Sequence, residues 1–229
     1  MDASSTASAP PSNSSGQVAR PTLRGVSHAL GFFASLPLGV ALGLAAHSTT
    51  GRAAAVAYAA TVAFMLGASG LYHRVTWSST RLRLRMRRVD HAGIFALIAG
   101  SYTPVGLLIL HGSWRVAVLA VVWSGAAVAI LLKTVWVAAP KWLAVAIAIA
   151  LGWVGVVAMP QVASHAGLTA CLLLAAGGLA YTAGGLVYAF RRPNPLPAIF
   201  GYHEVFHAFV LVAVALQYSS IAFYILPAR

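Results

Sequence analysis

The sequence predicts an all-α membrane protein, a bundle of seven transmembrane helices with its N-terminus in the cytoplasm and its C-terminus outside. The composition is 60% hydrophobic and only 8% charged, and the mean hydropathy is +0.83. Soluble domains carry roughly 25% charged residues. An ordinary soluble domain is therefore excluded, and apolar runs long enough to cross a bilayer set the fold class.

Seven stretches reach the length of about 20 largely apolar residues that a transmembrane helix needs. Residues 1–19 precede them, are rich in Ser, Ala and Pro, lack aromatic residues, and predict a disordered tail without a cleaved signal peptide. Residues 20–229 form one seven-transmembrane domain. Pro37 and Pro104 are expected kink sites within it. The predicted spans are residues 26–47, 53–73, 91–110, 116–137, 142–159, 167–190 and 203–226.

The distribution of Lys and Arg predicts the orientation. Seven spans that alternate in direction place three basic residues on one side, namely Arg52, Arg115 and Arg229. They place twelve on the other side: Arg20, Arg24, Arg74, Arg81, Arg83, Arg85, Arg87, Arg88, Lys133, Lys141, Arg191 and Arg192. Because cytoplasmic loops carry an excess of Lys and Arg, the side with twelve is predicted to be cytoplasmic.

Charge and residue usage exclude several function classes. The net charge of +12 is explained by this orientation and by anionic lipid headgroups, so no nucleic-acid partner is expected. A retinal protein needs a lysine on its last helix, and no lysine follows Lys141. A conventional G-protein-coupled receptor has the opposite orientation. The single cysteine, Cys171, excludes an internal disulfide and a cysteine-based metal site.

The few polar residues inside the predicted spans gather at one depth. The chain has three acidic residues, of which Asp2 lies in the tail while Asp90 and Glu204 each adjoin a histidine. Ionisable groups at membrane depth are costly and usually functional. The predicted orientation brings five candidate groups from separate parts of the chain to the cytoplasmic leaflet. These are Ser69, His73, Asp90, His203 and His207.

The spacing of these residues predicts a metal site. His203 and His207 are four residues apart on one helix face and can both bind a tetrahedral Zn²⁺ ion, and His73 could supply a third ligand. Three protein ligands plus water is the arrangement of catalytic zinc, in which Asp90 would accept a proton from the water and Ser69 would donate to an oxyanion. The open alternative is that these histidines bond to headgroups, waters or helix-end carbonyls.

The remaining histidines receive weaker assignments. His47, His111 and His165 are interpreted as residues of the outer interface, and His28, near a span end without an acidic neighbour, receives no role. His91 is turned about 100° from Asp90 on a helix, which favours a supporting or packing role over ligation.

Three stretches resemble the motifs of a known family. SGLYHRVTW (69–77), RRVDHAGIFALIAGSYTPV (87–105) and YHEVFHAFVL (202–211) are similar to the motifs of the hemolysin III branch of the PAQR family. That family includes the adiponectin and progestin receptors and belongs with the alkaline ceramidases. The resemblance covers all seven spans in order, roughly residues 20–226.

The resemblance implies a zinc ion near the cytoplasmic face, held by His73, His203 and His207. Asp90 and Ser69 match the family positions that contact or position the zinc-bound water. Glu204 inherits no role, because the residue after the first C-terminal histidine varies in this family. Bacterial members are associated with membrane-fluidity homeostasis and with haemolytic activity when expressed elsewhere, so the plasma (inner) membrane is the expected location.

Three functions stay open at this point. The first is a zinc-dependent lipid amide or ester hydrolase, or a lipid sensor built on the same site, with membrane lipids as substrate or ligand. The second is an intramembrane zinc protease that uses HEVFH (203–207) with Glu204 as general base. The third is a pore-forming hemolysin.

Residues 74–88 are expected to contact anionic lipid headgroups. The run TRLRLRMRR (80–88) is interpreted as a loop that either binds these headgroups or anchors the orientation of the protein in the membrane.

Overall fold

The protein is almost entirely helical in the computed structural model, which describes residues 20–136 and 138–228. The predicted tail, residues 1–19, lies outside the described residues. A 3₁₀ turn, Val154–Ala158, joins two helices, and a π-helical turn, Ile221–Ile225, follows the last one. The all-α class is confirmed for the described part. Its helices are α1 Val26–Ala45, α2 Thr49–Arg74, α3 Thr80–Leu108, α4 Gly112–Val135, α5 Lys141–Trp153, α6 Met159–Phe190 and α7 Tyr202–Ser220.

Six helical stretches in the described part are long and apolar enough to cross a membrane. Five of them are α1, α2, α3, α4, and α7 together with the π-helical turn. The sixth is the continuous stretch Lys141–Phe190, which has 50 residues and a mean hydropathy of 2.3. The chain is therefore a multi-pass membrane protein.

The stretch Lys141–Phe190 is not one straight helix. At 1.5 Å per residue, 50 residues would extend about 75 Å, more than twice the thickness of the hydrocarbon core. Gly167 interrupts α6 with φ 85° and ψ 167°, a conformation that glycine adopts without a steric penalty. Trp153 Nε1 donates a hydrogen bond of 3.0 Å to Thr182 Oγ1, although 29 residues separate them. The chain therefore folds back on itself between α5 and the second part of α6.

Helix α3 begins before residue 91, where the predicted span starts. The interpretation of residues 80–88 as a loop is wrong, because α3 starts at Thr80, where the Ser79 hydroxyl accepts a hydrogen bond of 3.1 Å from the Leu82 amide. Its 29 residues extend about 43 Å, so α3 is longer than the bilayer core is thick. The arginine-rich first turns thus belong to the same rigid helix as Asp90.

Glycines allow α2 and α3 to approach closely. A Cβ atom on Gly93 would lie 2.9 Å from the Met65 Cα, and one on Gly100 would lie 2.7 Å from the Thr61 Cβ. Both distances are shorter than carbon atoms tolerate, so side chains at these positions would push the helices apart. Small residues at helix contacts are typical of membrane proteins, where close backbone approach drives association.

The candidate site lies at one end of the bundle, which we call the site end. The connections between α1 and α2, α2 and α3, and α3 and α4 are short, so these successive helices run antiparallel. Backbone amides of Thr22 and Leu23 donate hydrogen bonds of 3.0 and 3.1 Å to the carbonyls of Ala198 and Ile199. The segment before α1 is therefore hydrogen-bonded to the segment before α7. The first residues of α1 and of α7 thus lie close to the last turn of α2.

Candidate metal centre

Three histidine side chains converge at the site end. His73 comes from the last turn of α2, and His203 and His207 come from the first two turns of α7. The Nε2 atoms of His73 and His203 are 3.1 Å apart, and one ring nitrogen from each of the three residues lies within 4.8 Å of the others. The three predicted ligands are thus close enough to share one metal ion.

The donor set fits zinc. Two nitrogens bound to one tetrahedral zinc at 2.0–2.1 Å lie about 3.3 Å apart, close to the 3.1 Å between His73 and His203. Imidazole nitrogens are ligands that zinc prefers. The His207 side chain is 1% exposed and the other two histidines are partly buried, so an ion here would be partly shielded from bulk water. Small movements of the rings suffice to bring all three nitrogens to bonding distance.

Asp90 lies beside the three histidines. Its Oδ2 atom is 3.9 Å from the Nε2 atom of His73, and the hydroxyl of Ser69 lies near its carboxylate. Asp90 and Ser69 are both buried, at 8% and 3% exposure. The structure thus places Asp90 and Ser69 next to the three histidines, and their chemical roles stay predictions.

His28 also belongs to this cluster, and leaving it without a role was wrong. Its Nδ1 atom is 2.8 Å from the Ser69 hydroxyl, and its ring stacks on His207 with centroids 3.7 Å apart and planes at 10°. The side chain is 2% exposed. One signal in the sequence pointed to it, since the predicted orientation puts the start of α1 at the same depth as His73.

The tautomer of His28 depends on where the Ser69 hydroxyl donates its hydrogen. A serine hydroxyl has one hydrogen to donate. When Ser69 donates it to the Asp90 carboxylate, His28 must donate from Nδ1 to Ser69, and the Nε2 atom of His28 then carries no hydrogen. This Nε2 atom is buried and has no hydrogen-bond partner among the described residues. With Ser69 donating to Asp90, this nitrogen is an acceptor available to a bound molecule.

Glu204 is occupied by structural contacts. Its Oε2 atom accepts a hydrogen bond of 2.8 Å from the Gly201 amide, closing a capping box at the start of α7, and its Oε1 atom forms an ion pair with Arg24. The Glu204 side chain is 2% exposed. Because both oxygens are engaged, Glu204 has no free oxygen to serve as the general base of a protease.

Gly25 sets how closely the N-terminal segment approaches the cluster. It has φ 77°, in the left-handed region that favours glycine, and a Cβ atom here would lie 2.5 Å from the Cβ of His73. This close approach lets Arg24 reach Glu204 on one side while α1 starts with His28 pointing to Ser69. The N-terminal segment therefore positions Arg24 and His28 around His73.

The other histidines lie apart from the three ligand candidates. His111 and His165 approach one another at the opposite end of the bundle, with ring centroids 5.1 Å apart, and His47 is exposed after the end of α1. His91 lines a cavity next to Asp90, and its Nδ1 atom is buried without a partner in the described part. This placement agrees with a supporting role for His91 rather than ligation.

The cavity begins at the cluster and extends into the bundle. It has a volume of about 240 Å³ and is bordered by residues of all seven helices. His28, Ser69, Asp90 and His207 form part of its wall, and most of the remaining wall is apolar. The cluster is thus connected to a space that an apolar chain can enter.

Fold and site define a class, a multi-pass helical membrane protein with a histidine cluster at one end. Comparison with known families gives the particular membership. Residues 16–218 match the family described as "Haemolysin-III related", so the chain belongs to the haemolysin III family.

Individual relatives agree with this membership. The chain is 29% identical over 206 residues to Hemolysin-3 of Bacillus cereus, covering 88% of this chain and 90% of the relative. It is 32% identical over 157 residues to the Hemolysin-3 homolog of Bacillus subtilis (strain 168), covering 68% and 70%. It is also 31% identical over 171 residues to the Heptahelical transmembrane protein ADIPOR2 of Oryza sativa subsp. japonica, covering 68% and 75%. The last similarity supports the predicted relationship to the PAQR family.

The contacts of Glu204 generate a prediction. Glu204→Gln removes the charge opposite Arg24, and hydrogen bonds to charged groups contribute about 1.5–3 kcal/mol, so we expect the free energy of unfolding to fall by roughly that amount. Thermal unfolding in detergent, followed by circular dichroism, measures the loss. Asp2→Asn, outside the described residues, removes an equal charge as the control. A Glu204→Gln protein of undiminished stability would contradict the structural role.

Proposed function

We propose that the protein is a seven-helix, zinc-binding protein of the plasma membrane that hydrolyses, or senses, an amide or ester bond of a membrane lipid. The observation that carries the proposal is the convergence of His73, His203 and His207 beside the buried Asp90 carboxylate, next to a largely apolar cavity. Such a function would act in the homeostasis of membrane lipids.

The seven-span count is supported by the way Lys141–Phe190 folds back. Residues 141–158 and 168–190 each come close to the length of about 20 residues that one crossing requires. Counting them separately gives seven crossings, which puts the N-terminus and the C-terminus on opposite sides. The excess of Lys and Arg then assigns the site end to the cytoplasm.

The residues around the histidines suit hydrolysis of a carbonyl compound. A zinc ion bound by the three imidazoles would supply Lewis acidity toward the carbonyl and activate water at neutral pH. The Asp90 carboxylate is positioned to accept a proton from an attacking water and to return it to the leaving group. The buried wall limits access of other water molecules.

The contacts of Ser69 change the role proposed for this residue. The sequence predicts that its hydroxyl stabilises an oxyanion, but this hydroxyl contacts His28 and lies near Asp90. We therefore assign Ser69 and His28 to the positioning of Asp90. His28 also fixes the His207 ring by stacking on it.

The alternatives receive less support. A zinc protease based on HEVFH needs Glu204 as its general base, and this residue is bound to Arg24 and Gly201. The pore-forming alternative rests on the hemolysin names of two relatives.

Metal analysis tests the zinc proposal. We expect purified protein to contain about one zinc per chain, and His203→Ala to lose it, because two imidazoles hold the ion too weakly to survive purification. His165→Ala, at the opposite end of the bundle, is the matched control and keeps its zinc. Elemental analysis by mass spectrometry gives the stoichiometry. Wild-type protein without zinc, or equal zinc in both variants, would contradict the proposal.

The role of Asp90 is tested by hydrolysis. Asp90→Asn removes the proton acceptor but leaves the three imidazoles, so release of fatty acid from ceramide, acyl-ester or phospholipid pools should fall by about 10²–10⁴-fold with the zinc content unchanged. Fatty acid is measured by chromatography. An unchanged rate would show that Asp90 is not the base. Zinc-loaded wild type that is inert toward every pool would favour the sensor over the hydrolase.

A further inference from the structure

We propose that the cavity at the histidine cluster is a binding site for an amphiphile with an anionic headgroup, whose phosphate or carboxylate is held by Lys133, Lys141 and Arg87. The inference rests on the proposed function only in taking this cavity as the path of the lipid. It specifies the headgroup charge, which the histidines and Asp90 do not determine.

Three cationic side chains from three different helices line this cavity. Arg87 lies on α3, Lys133 lies in the last turn of α4, and Lys141 is the first residue of α5. Asp90 and His91 line the same cavity. A concave site with several charges of one sign raises the local concentration of ligands of the opposite sign.

The two lysines have no carboxylate partner in the described part of the chain. Its two acidic residues are Asp90, which pairs with His73, and Glu204, which pairs with Arg24, and neither lysine takes part in these ion pairs. Lys133 is nevertheless only 5% exposed. A buried charge without a counter-charge is costly, so a bound anion would stabilise Lys133.

Lys141 is held in place close to the histidines. Its Nζ atom donates a hydrogen bond of 3.0 Å to the Tyr202 hydroxyl and lies 4.5 Å from the centroid of the Tyr188 ring. The Tyr188 ring in turn contacts His203, with centroids 5.5 Å apart. An anion on Lys141 is therefore separated from the cluster by about one aromatic ring. The bond that joins a headgroup to its acyl chain would lie near the histidines.

Unsatisfied ring nitrogens in the same wall provide an independent sign of a polar ligand. His28 Nε2 and His91 Nδ1 are buried, have no hydrogen-bond partner among the described residues, and belong to residues that line the cavity. Buried polar atoms without partners are rare in folded proteins, and each calls for an explanation. A headgroup with hydroxyl and phosphate groups can bond to both nitrogens.

The rest of the wall suits a hydrocarbon chain. The volume of about 240 Å³ lies just below the roughly 300–1,000 Å³ of typical ligand pockets, which favours one chain over two. Each buried methylene contributes about 0.8 kcal/mol, or roughly fourfold in affinity, so an apolar tail adds strongly to binding. Apolar residues of this part of the wall include Ile94, Ile98, Ala148, Ile149 and Leu174.

Binding to the unmodified protein gives the first test. The protein in uncharged detergent is titrated with lysophosphatidylglycerol, with lysophosphatidylcholine of the same acyl chain, and with inorganic phosphate, and tryptophan fluorescence is recorded because Trp153 lines the cavity. We expect the anionic lipid to bind at least tenfold more tightly than either other probe. Equal affinities for the two lipids would overturn the headgroup assignment. Equal affinity for phosphate would overturn the lipid assignment.

Variants of the two lysines test whether they cause the preference for the anionic lipid. Lys133→Gln combined with Lys141→Gln should reduce the preference for the anionic lipid at least tenfold, since each charged hydrogen bond contributes about tenfold or more. Arg83→Gln removes an exposed charge from the first turn of α3 and is the matched control, with no change expected. An equal effect of Arg83→Gln would show surface attraction and overturn the proposal. If the double variant does not fold, Lys133→Gln alone carries the same expectation.

Zinc content measured on the same samples separates this inference from the proposed function. If protein without zinc binds the anionic lipid selectively, the headgroup site is supported and the zinc proposal is contradicted. Zinc at one per chain without headgroup selectivity would contradict the headgroup site and leave the zinc proposal standing.

Discussion

The constraint on which the site depends is that polar groups buried in a membrane protein must find partners inside the protein. The described part of this chain has only two carboxylates, and each organises one layer of the site end. Glu204 joins Arg24 to the start of α7, and Asp90 joins Ser69 to the neighbourhood of His73. The histidine cluster lies between these two layers. Its geometry therefore depends on the contacts that Glu204 and Asp90 make with their partners.

The contacts of Glu204 hold segments of the chain together, whereas Asp90 is the residue to which we assign a role in catalysis. The contact with Arg24 fastens the N-terminal segment to α7, and Gly25 lets this segment pass next to His73. Helix α1 then starts with His28 directed at Ser69. Residues more than 170 positions apart in the sequence are held in one small volume, and this arrangement leaves Asp90 beside the histidines and open to the cavity.

Helical spacing and charge distribution predicted much of this arrangement, including the helical class and the shared depth of His73, Asp90 and His207. The predicted depth of a residue in the membrane does not determine the direction in which its side chain points from the helix axis. The stacking of His28 on His207 could therefore not be predicted from the sequence. The partner of Glu204 was missed because Arg24 is 180 residues away. Residues 80–88 lie before the predicted span 91–110 and are interpreted from the sequence as a loop, whereas the Ser79 cap and continuity with the apolar run make them helical.

The central claim is that one zinc ion is held by three imidazoles at the end of the bundle. X-ray absorption at the zinc edge of the purified protein tests it most directly, because the spectrum reports the type, number and distance of the ligands. We expect a first shell of nitrogen and oxygen at 2.0–2.1 Å with the outer-shell scattering of about three imidazoles, reduced in His73→Ala. A spectrum without imidazole scattering, or one unchanged in His73→Ala, would contradict the claim.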